Sequence, residues 1–449
     1  MDLERLLGKK IAILGLGAEG LSLAKFLYKH NITNISVCDQ RNLDGFSDIV
    51  KQIPGKPELF LGKDYLKKLS RFDFCFRSPG IPSNLPEIQE LKKNHKLSSP
   101  TNLFFELCPA KIIGITGTKG KGTTATALYN ILKLAKKDVF LVGNIGKPAL
   151  DTLSEINSKS IVIFELSSFQ LEDIKASPHI AVFLNLFKDH LDHHLDMREY
   201  QDSKLRIFEF QKSTDWAIIH FLYKDLLKNQ SIKSKKLYCG NNINSSATAT
   251  KKQLTIKLNS TKHIFSTSNI KLLGVHNYLN LAVAGLIAKI LNTDNLYIQK
   301  TIDNFKGLEH RLELVREYKG VKYYNDSIAT VPESTIAAIN AFKNPKILIL
   351  GGSDKGADYS ELAKSIGKQE IKAIILIGET ANKIKNSLKN TKNVKIILAT
   401  SLEQAVEKAN SIACFGDILL LSPACASFDM FSGYKQRGEQ FKKIVNTLQ

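Results

Sequence analysis

Apolar residues in this chain gather in short runs, each closed by a turn and followed by a stretch of helical period. Ile11-Ala12-Ile13-Leu14 comes first, then a glycine turn, an amphipathic pattern over residues 21–30, and a second run, Ile35-Ser36-Val37-Cys38, that stops at Asp39. This order predicts a strand–helix–strand start. A second unit opens at Lys111 with Ile112-Ile113 and includes the run Ile161-Val162-Ile163-Phe164, which stops at Glu165. A third opens near Gly307, with strand patterns at 321–324, 347–350, 374–377 and 418–421, most of them separated by helical stretches. Continuous apolar strands alternating with helices predict parallel sheets covered on both faces. Between Asn229 and Asn269 the chain is rich in Lys, Ser and Asn and alternates weakly, which predicts small edge strands and loops. Ser98-Ser99-Pro100-Thr101-Asn102 reads as a linker or hinge. There is no short-period repeat and no low-complexity tract.

A length of 449 residues suits about three domains at roughly 150 residues each. The net charge of +20 comes mostly from dispersed lysines, without the clustered arginines or interleaved aromatics of a nucleic-acid surface. It reads as solvated faces whose field also favours substrates bearing phosphates and carboxylates. Six cysteines lie scattered with no CxxC spacing, which points to reduced thiols rather than a disulfide or zinc framework. No apolar run approaches the ~18 residues of a membrane span, and the acidic N-terminus leads directly into a strand pattern, unlike a signal peptide. The expectation is a cytoplasmic monomer acting on small molecules, with neither nucleic acid nor membrane as partner.

Four motifs carry chemistry. The first is the glycine loop at 114–124, Gly-Ile-Thr-Gly-Thr-Lys-Gly-Lys-Gly-Thr-Thr, between a buried strand and a helix start. Glycines there let backbone N–H groups approach phosphate oxygens, and Lys121 would reach the β- and γ-phosphates. The position after Lys121, where a magnesium-binding hydroxyl is usual, is Gly122; Thr123 is the nearest hydroxyl. The second is Glu165-Leu166-Ser167-Ser168-Phe169-Gln170-Leu171, with a carboxylate at a strand end, suited to magnesium. The third runs from Asn185 to His194 and holds two aspartates and three histidines, suggesting metal or phosphate chemistry without a recognised zinc spacing. The fourth is Gly15-Leu16-Gly17-Ala18-Glu19-Gly20 with Asp39 downstream, a dinucleotide fingerprint that would equally suit an oxidoreductase.

Together these residues resemble the Mur ligase family, in order and over essentially the whole chain. The resemblance rests on the motifs at 117–124 and 165–171, Asp-His-Leu-Asp at 189–192, Ser-Lys-Leu-Arg-Ile-Phe at 203–208 and Gly-Val-His-Asn-Tyr-Leu-Asn at 274–280. It continues with Glu-His-Arg-Leu-Glu at 309–313, Tyr-Asn-Asp-Ser at 324–327, Gly-Gly-Ser-Asp-Lys at 351–355 and Leu-Ser-Pro-Ala-Cys-Ala-Ser-Phe-Asp at 421–429. The glycine fingerprint with Asp39, Ser-Pro-Gly-Ile at 78–81 and the 421–429 run point to the D-glutamate-adding branch.

The resemblance implies an α/β fold of three domains. These are a Rossmann-like UDP-substrate domain over 1–105, a central P-loop-type ATP domain with a parallel sheet over 106–306, and a C-terminal Rossmann-like amino-acid domain over 307–449. It implies an ATP-dependent ligase that adds D-glutamate to UDP-N-acetylmuramoyl-L-alanine through an acyl phosphate, with ATP and two Mg2+ ions. Gly17, Ala18, Glu19, Asp39, Arg41, Gly80 and Asn144 would hold the UDP-linked substrate. Gly117, Thr118, Lys119, Gly120, Lys121, Gly122, Thr123 and Thr124, with Asn277, Asn280, Arg311 and Asp326, would hold ATP. Thr123, Glu165, His190 and a carbamylated Lys204 would bind metal; Lys121, His190, Lys204 and Lys355 would be catalytic. Thr330, Lys355, Ser427 and Tyr434 lie where the incoming amino acid is expected. The chain departs from the pattern at Gly122, at Ile328 where Lys is frequent, and at Tyr434 where Phe is frequent. The alternatives are the same chemistry with L-glutamate, or an NAD-type oxidoreductase.

Overall fold

Every residue of the run Ile11–Leu14 is fully buried, and alternate side chains serve two different cores: Ile11 and Ile13 pack with Leu23 and Leu27, while Ala12 and Leu14 pack with Cys75 and Ile88. A strand apolar on both faces must be covered on both faces, and that demand sets the architecture. The computed structural model describes residues 3–42, 47–190, 193–227, 232–270, 272, 274–389, 391 and 394–448. The chain divides into two compact units, Met1–Ile270 with Val275–Asn304, and Lys271–Gly274 with Phe305–Gln449.

The first unit holds two sheets. One consists of β1 (Ile11–Leu14), β2 (Ile35–Asp39), β3 (Glu58–Leu61), β4 (Phe74–Arg77) and β5 (Leu97–Ser98), in the order β3-β2-β1-β4-β5 and all parallel. The other consists of β6 (Lys111–Thr116), β7 (Val139–Gly143), β8 (Ile161–Glu165), β9 (Ile180–Phe183), β10 (Trp216–His220), β11 (Lys235–Cys239), β12 (Ala247–Ala249), β13 (Gln253–Leu258) and β14 (Thr261–Ser266). Its order is β14-β13-β12-β11-β10-β9-β6-β8-β7, with β12 to β14 pairing antiparallel at the edge. The polar, weakly alternating stretch thus does form edge strands; its first residues, 229–231, lie outside the described set.

The second unit has one sheet of β15 (Glu313–Tyr318), β16 (Val321–Asn325), β17 (Lys346–Gly351), β18 (Ile371–Ile377), β19 (Lys395–Leu398) and β20 (Ile418–Leu421), in the order β15-β16-β20-β17-β18-β19. Only β15 runs antiparallel to its neighbour. Along β17, Leu348 and Leu350 enter one core while Ile347 and Ile349 enter the other.

One expectation is corrected. Residues 98–102 are not a linker: Ser99 caps the helix Pro100–Leu107, its Oγ accepting the N–H of Asn102 at 3.1 Å, and Pro100 to Phe104 are buried. The Asn102 amide donates to the carbonyl of Asp173 at 2.6 Å and its oxygen accepts from the N–H of Lys175 at 2.8 Å. Ser, Pro and Thr open a helix as readily as they fill a loop, and composition alone does not separate the two.

Candidate active site

In open parallel sheets, ligands bind beyond the carboxyl ends of the strands, where the strand order reverses. The first sheet reverses between β1 and β4. The glycine turn follows β1 and the Ser-Pro-Gly turn follows β4, and Ser78 Oγ joins them by donating to the carbonyl of Gly15 at 2.6 Å. A Cβ at Gly20 would lie 2.2 Å from the Gly15 carbonyl oxygen, so helix and turn approach as closely as they do only with glycine there. Gly17 and Gly80 are exposed, with open space where a side chain would stand, and leave room for a ligand. Asp39, at the end of β2, accepts from the N–H of Leu16 at 2.9 Å and from the Arg41 side chain at 2.9 and 2.8 Å. Burial works against its charge, yet Arg41 and the two backbone donors hold its carboxyl below the ordinary value. Its oxygens therefore brace the glycine turn. Asn144 is exposed in the turn after β7.

The second glycine loop follows β6 and leads into the helix Lys121–Leu134, with Gly120 at the N-cap in the left-handed region, φ +86°. Asn185, just beyond β9, clamps it. Its carbonyl accepts from the N–H of Thr118 at 3.0 Å, its side-chain oxygen accepts from the N–H of Lys119 at 2.8 Å, and its amide donates to the carbonyl of Lys119 at 2.9 Å. Asn280 lies against Gly120 from the helix Val275–Ile290 and donates to Asn277 Oδ1 at 3.1 Å. Lys121 folds back on the loop, its Nζ donating to the carbonyls of Gly117 and Thr118 at 2.9 and 3.1 Å. Lys204, 1 % exposed, donates to the same Gly117 carbonyl at 3.2 Å, with its Nζ 4.6 Å from the centre of the Tyr200 ring. Burial, with the charge of Lys121 added, pushes its ammonium down to about 6.

Glu165 ends β8 and is buried. Next comes the short helix Ser168–Leu171, closed by a reciprocal cap between Ser167 and Gln170. Phe169 presents its ring to His190 and His193, with centroids 5.0 and 4.1 Å away. His190 is half-exposed and beside Asp189, whose carboxyl also meets Lys119 at 3.3 Å. Leu191 and Asp192 of this motif lie outside the described residues. Thr123 is buried on the first turn after Lys121. The Glu165 carboxylate and the Thr123 hydroxyl are oxygen donors of the kind a hard divalent cation takes; His190 offers an imidazole nitrogen instead, and Lys204 as a free amine adds no anionic oxygen. A carbamate on that amine would.

In the second unit the strand order reverses between β17 and β20. The loop after β17 carries Gly351 to Lys355, and the loop after β20 carries Ser422 to Asp429. Ser353 Oγ donates to Asp429 Oδ1 at 3.2 Å, and Lys355 Nζ lies 5.3 Å from the centre of the exposed Phe428 ring. Asp326 follows β16, accepts from the N–H of Leu312 at 3.1 Å and from Ser422 Oγ at 2.8 Å, and is pushed up to about 6 by burial. Ser427 is buried, whereas Arg311 is exposed. Tyr434 offers its carbonyl to Ser327 Oγ at 2.8 Å.

The phosphate-loop residues, Lys204 and Asn280 therefore come together within the first unit, as do Glu19, Asp39 and Arg41 around the first glycine turn. The structure adds Asn185 as a clamp, Tyr200 and the buried Arg437 to the residues that the motifs and the resemblance point to. Arg437 joins Ser327 to the carbonyls of Cys425 and Ala426. In the sequence Asn185 only opens the motif that ends at His194, and nothing there marks it as the clamp of the glycine loop.

Three family models match in order: "Mur ligase MurD-like, N-terminal domain" over residues 9–96, "Mur ligase middle domain" over 115–288, and "Mur ligase, glutamate ligase domain" over 310–425. The chain is 38% identical over 460 residues to the UDP-N-acetylmuramoylalanine--D-glutamate ligase of Acetivibrio thermocellus, covering 99% of this chain and 98% of the relative. It is likewise 38% identical over 454 residues to the enzyme of that name from Clostridium kluyveri, covering 98% and 97%. In fold it is similar to the MurF ligase of Thermotoga maritima in complex with ADP, with a TM-score of 0.56, 19% identity and coverage of 90% and 92%. The UDP-N-acetylmuramate-alanine ligase of the same organism gives a TM-score of 0.56 at 16% identity, covering 98% and 99%. Nothing in these relationships supports hydride transfer, and the carboxylate that such a reading needs on Asp39 is engaged within the protein.

Proposed function

Because this chain belongs to the Mur ligase family, we propose that it joins D-glutamate to UDP-N-acetylmuramoyl-L-alanine, converting ATP to ADP and phosphate. The names of its relatives support the substrate pair, and the ADP-bound neighbour supports the nucleotide. The observation that carries the reading is local: two lysine amines, Lys121 and Lys204, converge on the Gly117 carbonyl at the mouth of a phosphate-type loop.

A carboxylate is a poor electrophile. In the proposed reaction, an oxygen of the substrate carboxylate attacks the γ-phosphorus of ATP and the bond to ADP breaks, leaving an acyl phosphate. The unprotonated amine of glutamate then attacks the acyl carbon, phosphate departs with the C–O bonding pair, and the amine loses its extra proton. Phosphoryl transfer of this kind depends on positioning and charge neutralisation rather than on a protein nucleophile. The loop N–H groups of 117–124 and Lys121 take the phosphates, Lys121 exchanging its two carbonyl partners for phosphate oxygens. Glu165, His190, Thr123 and a carbamylated Lys204 are the residues that would hold Mg2+, which supplies charge neutralisation when bound. The exposed glycines Gly17 and Gly80, with Arg41 and Asn144, are assigned to the UDP-linked substrate. Lys355, Ser427, Thr330 and Tyr434 are assigned to the amino acid.

The test is phosphate release with ATP and UDP-N-acetylmuramoyl-L-alanine, with D- and L-glutamate supplied separately. Release with the D-isomer alone is expected. Release with L-glutamate would reassign the amino acid, and release with neither would refute the ligase reading.

A further inference from the structure

A buried ion cluster sits inside the first unit, outside the groups assigned to substrate. Arg77, the last residue of β4, is 1 % exposed. Its Nε donates to Asp173 at 2.5 Å, one terminal nitrogen donates to the carbonyl of Ile81, and the other donates to the carbonyl of Phe169 at 3.1 Å and pairs with Glu172 at 3.1 Å. The other oxygen of Glu172 lies 3.2 Å from His193 Nε2 and 3.6 Å from His194 Nδ1. The N–H groups of His193 and His194 donate to the carbonyl of His190 at 3.2 and 3.0 Å. A continuous polar path therefore runs from Ile81, in the turn assigned to the UDP-linked substrate, through Arg77, Glu172 and His193 to His190 on the phosphate side.

Taking a guanidinium and two carboxylates out of water costs several kcal/mol, and well-packed apolar residues commonly stabilise such a position as well or better. What apolar packing lacks is direction. The planar fork of Arg77 fixes two segments at set angles, which a lysine does not do. Resting on the ligase reading above, we propose that Arg77 and Glu172 are positioning residues that tie the 78–82 turn to His190, His193 and His194, so that seating the UDP-linked substrate and ordering the phosphate side are coupled.

The test is calorimetric titration of ADP and of UDP-N-acetylmuramoyl-L-alanine, each alone and each with the other present, on the wild-type chain, Glu172→Gln and Arg77→Lys. Asn102→Ala, which loosens the same joint at the Asp173 backbone but leaves Arg77, Glu172 and His193 themselves unchanged, serves as the control for a merely structural role. In the wild type each ligand is expected to tighten the other by roughly tenfold. Glu172→Gln, nearly isosteric, keeps each separate affinity within about threefold while the mutual effect falls close to one. Arg77→Lys does the same, and Asn102→Ala lowers Tm with coupling intact. Coupling undiminished in Glu172→Gln, absent in the wild type, or lost equally in Asn102→Ala would overturn the proposal and leave the ligase reading standing. Failure of the wild type to bind the UDP compound at all would sink the substrate reading and this inference with it.

Discussion

Lys204 and Lys121 direct their amines at one carbonyl oxygen, that of Gly117, from 3.2 and 2.9 Å. Burial first, and the Lys121 cation second, disfavour the charge on Lys204, which is 1 % exposed. The Gly117 carbonyl and the Tyr200 ring offset only part of the cost of burying the Lys204 ammonium; anionic oxygens beside it, or carbamylation of the amine, would offset the rest. Lys204→Met is therefore expected to raise Tm in calorimetry while lowering the rate of phosphate release at least about a hundredfold, as expected for loss of a transition-state charge partner. A variant that loses stability and keeps its rate would contradict this. Lys121→Ala is expected to abolish turnover outright.

Gly120 supplies the second prediction. Its φ of +86° is strained for any other residue, and an added Cβ would lie 2.6 Å from Asn280 Oδ1. Gly120→Ala is expected to cost about 1–2 kcal/mol from the backbone alone and to weaken ADP binding by roughly tenfold as the loop N–H groups turn away. Adding Asn280→Ala to that variant removes the clash but not the strain. Titration with ADP should then recover less than half of the lost binding energy; full recovery would mean that the side-chain clash was the whole effect.

At Ser99 the claim concerns stability alone. Its Oγ accepts the N–H of Asn102 at the start of the helix Pro100–Leu107. Ser99→Ala should lower the unfolding free energy by about 1 kcal/mol in urea titration, with phosphate release at saturating substrate unchanged. No measurable loss would mean that residues 98–102 behave as the hinge their composition suggests.

The contrast between those residues and the strands explains what the sequence discloses. Runs such as Ile347 to Leu350 are apolar at every position and, short and bounded by turns, suit a strand buried on both faces; the parallel parts of the three sheets were therefore legible. So were the glycine loop and Lys121, because phosphate approach needs small residues and a cation at fixed spacing. Edge elements were less so: β15 mixes charged and apolar positions and β19 is only four residues long, and each leaves a leucine exposed, Leu314 and Leu398. The pairing of Arg77 with Glu172 and Asp173 spans almost a hundred positions, and nothing in local composition marks two residues as partners across a tertiary joint. The part Asn185 plays in clamping the glycine loop was hidden for the same reason, since its Lys119 partner lies 66 positions away.

Glu19 gives a pH dependence of determinate sign. One carboxyl oxygen accepts from the Gln170 amide at 2.5 Å; the other is buried with no hydrogen-bond partner. Burial pushes the group up from 4.5 to about 7, against the opposing pull of Gln170 and Arg77. A raised carboxyl means that the folded chain binds this proton more tightly than the unfolded chain. The contribution to stability is thus fully present below about pH 4.5 and is lost as pH rises through about 7, by at most about 3 kcal/mol. Glu19→Gln keeps the size of the side chain and removes the charge. Its Tm should exceed that of the wild type at pH 8, where the parent holds an ionised and partly unsatisfied carboxylate, and the difference should shrink towards pH 5. Scanning calorimetry of both proteins across that range decides the point. A difference that is constant with pH would show that Glu19 is ionised at an ordinary value and that the first glycine turn tolerates its charge.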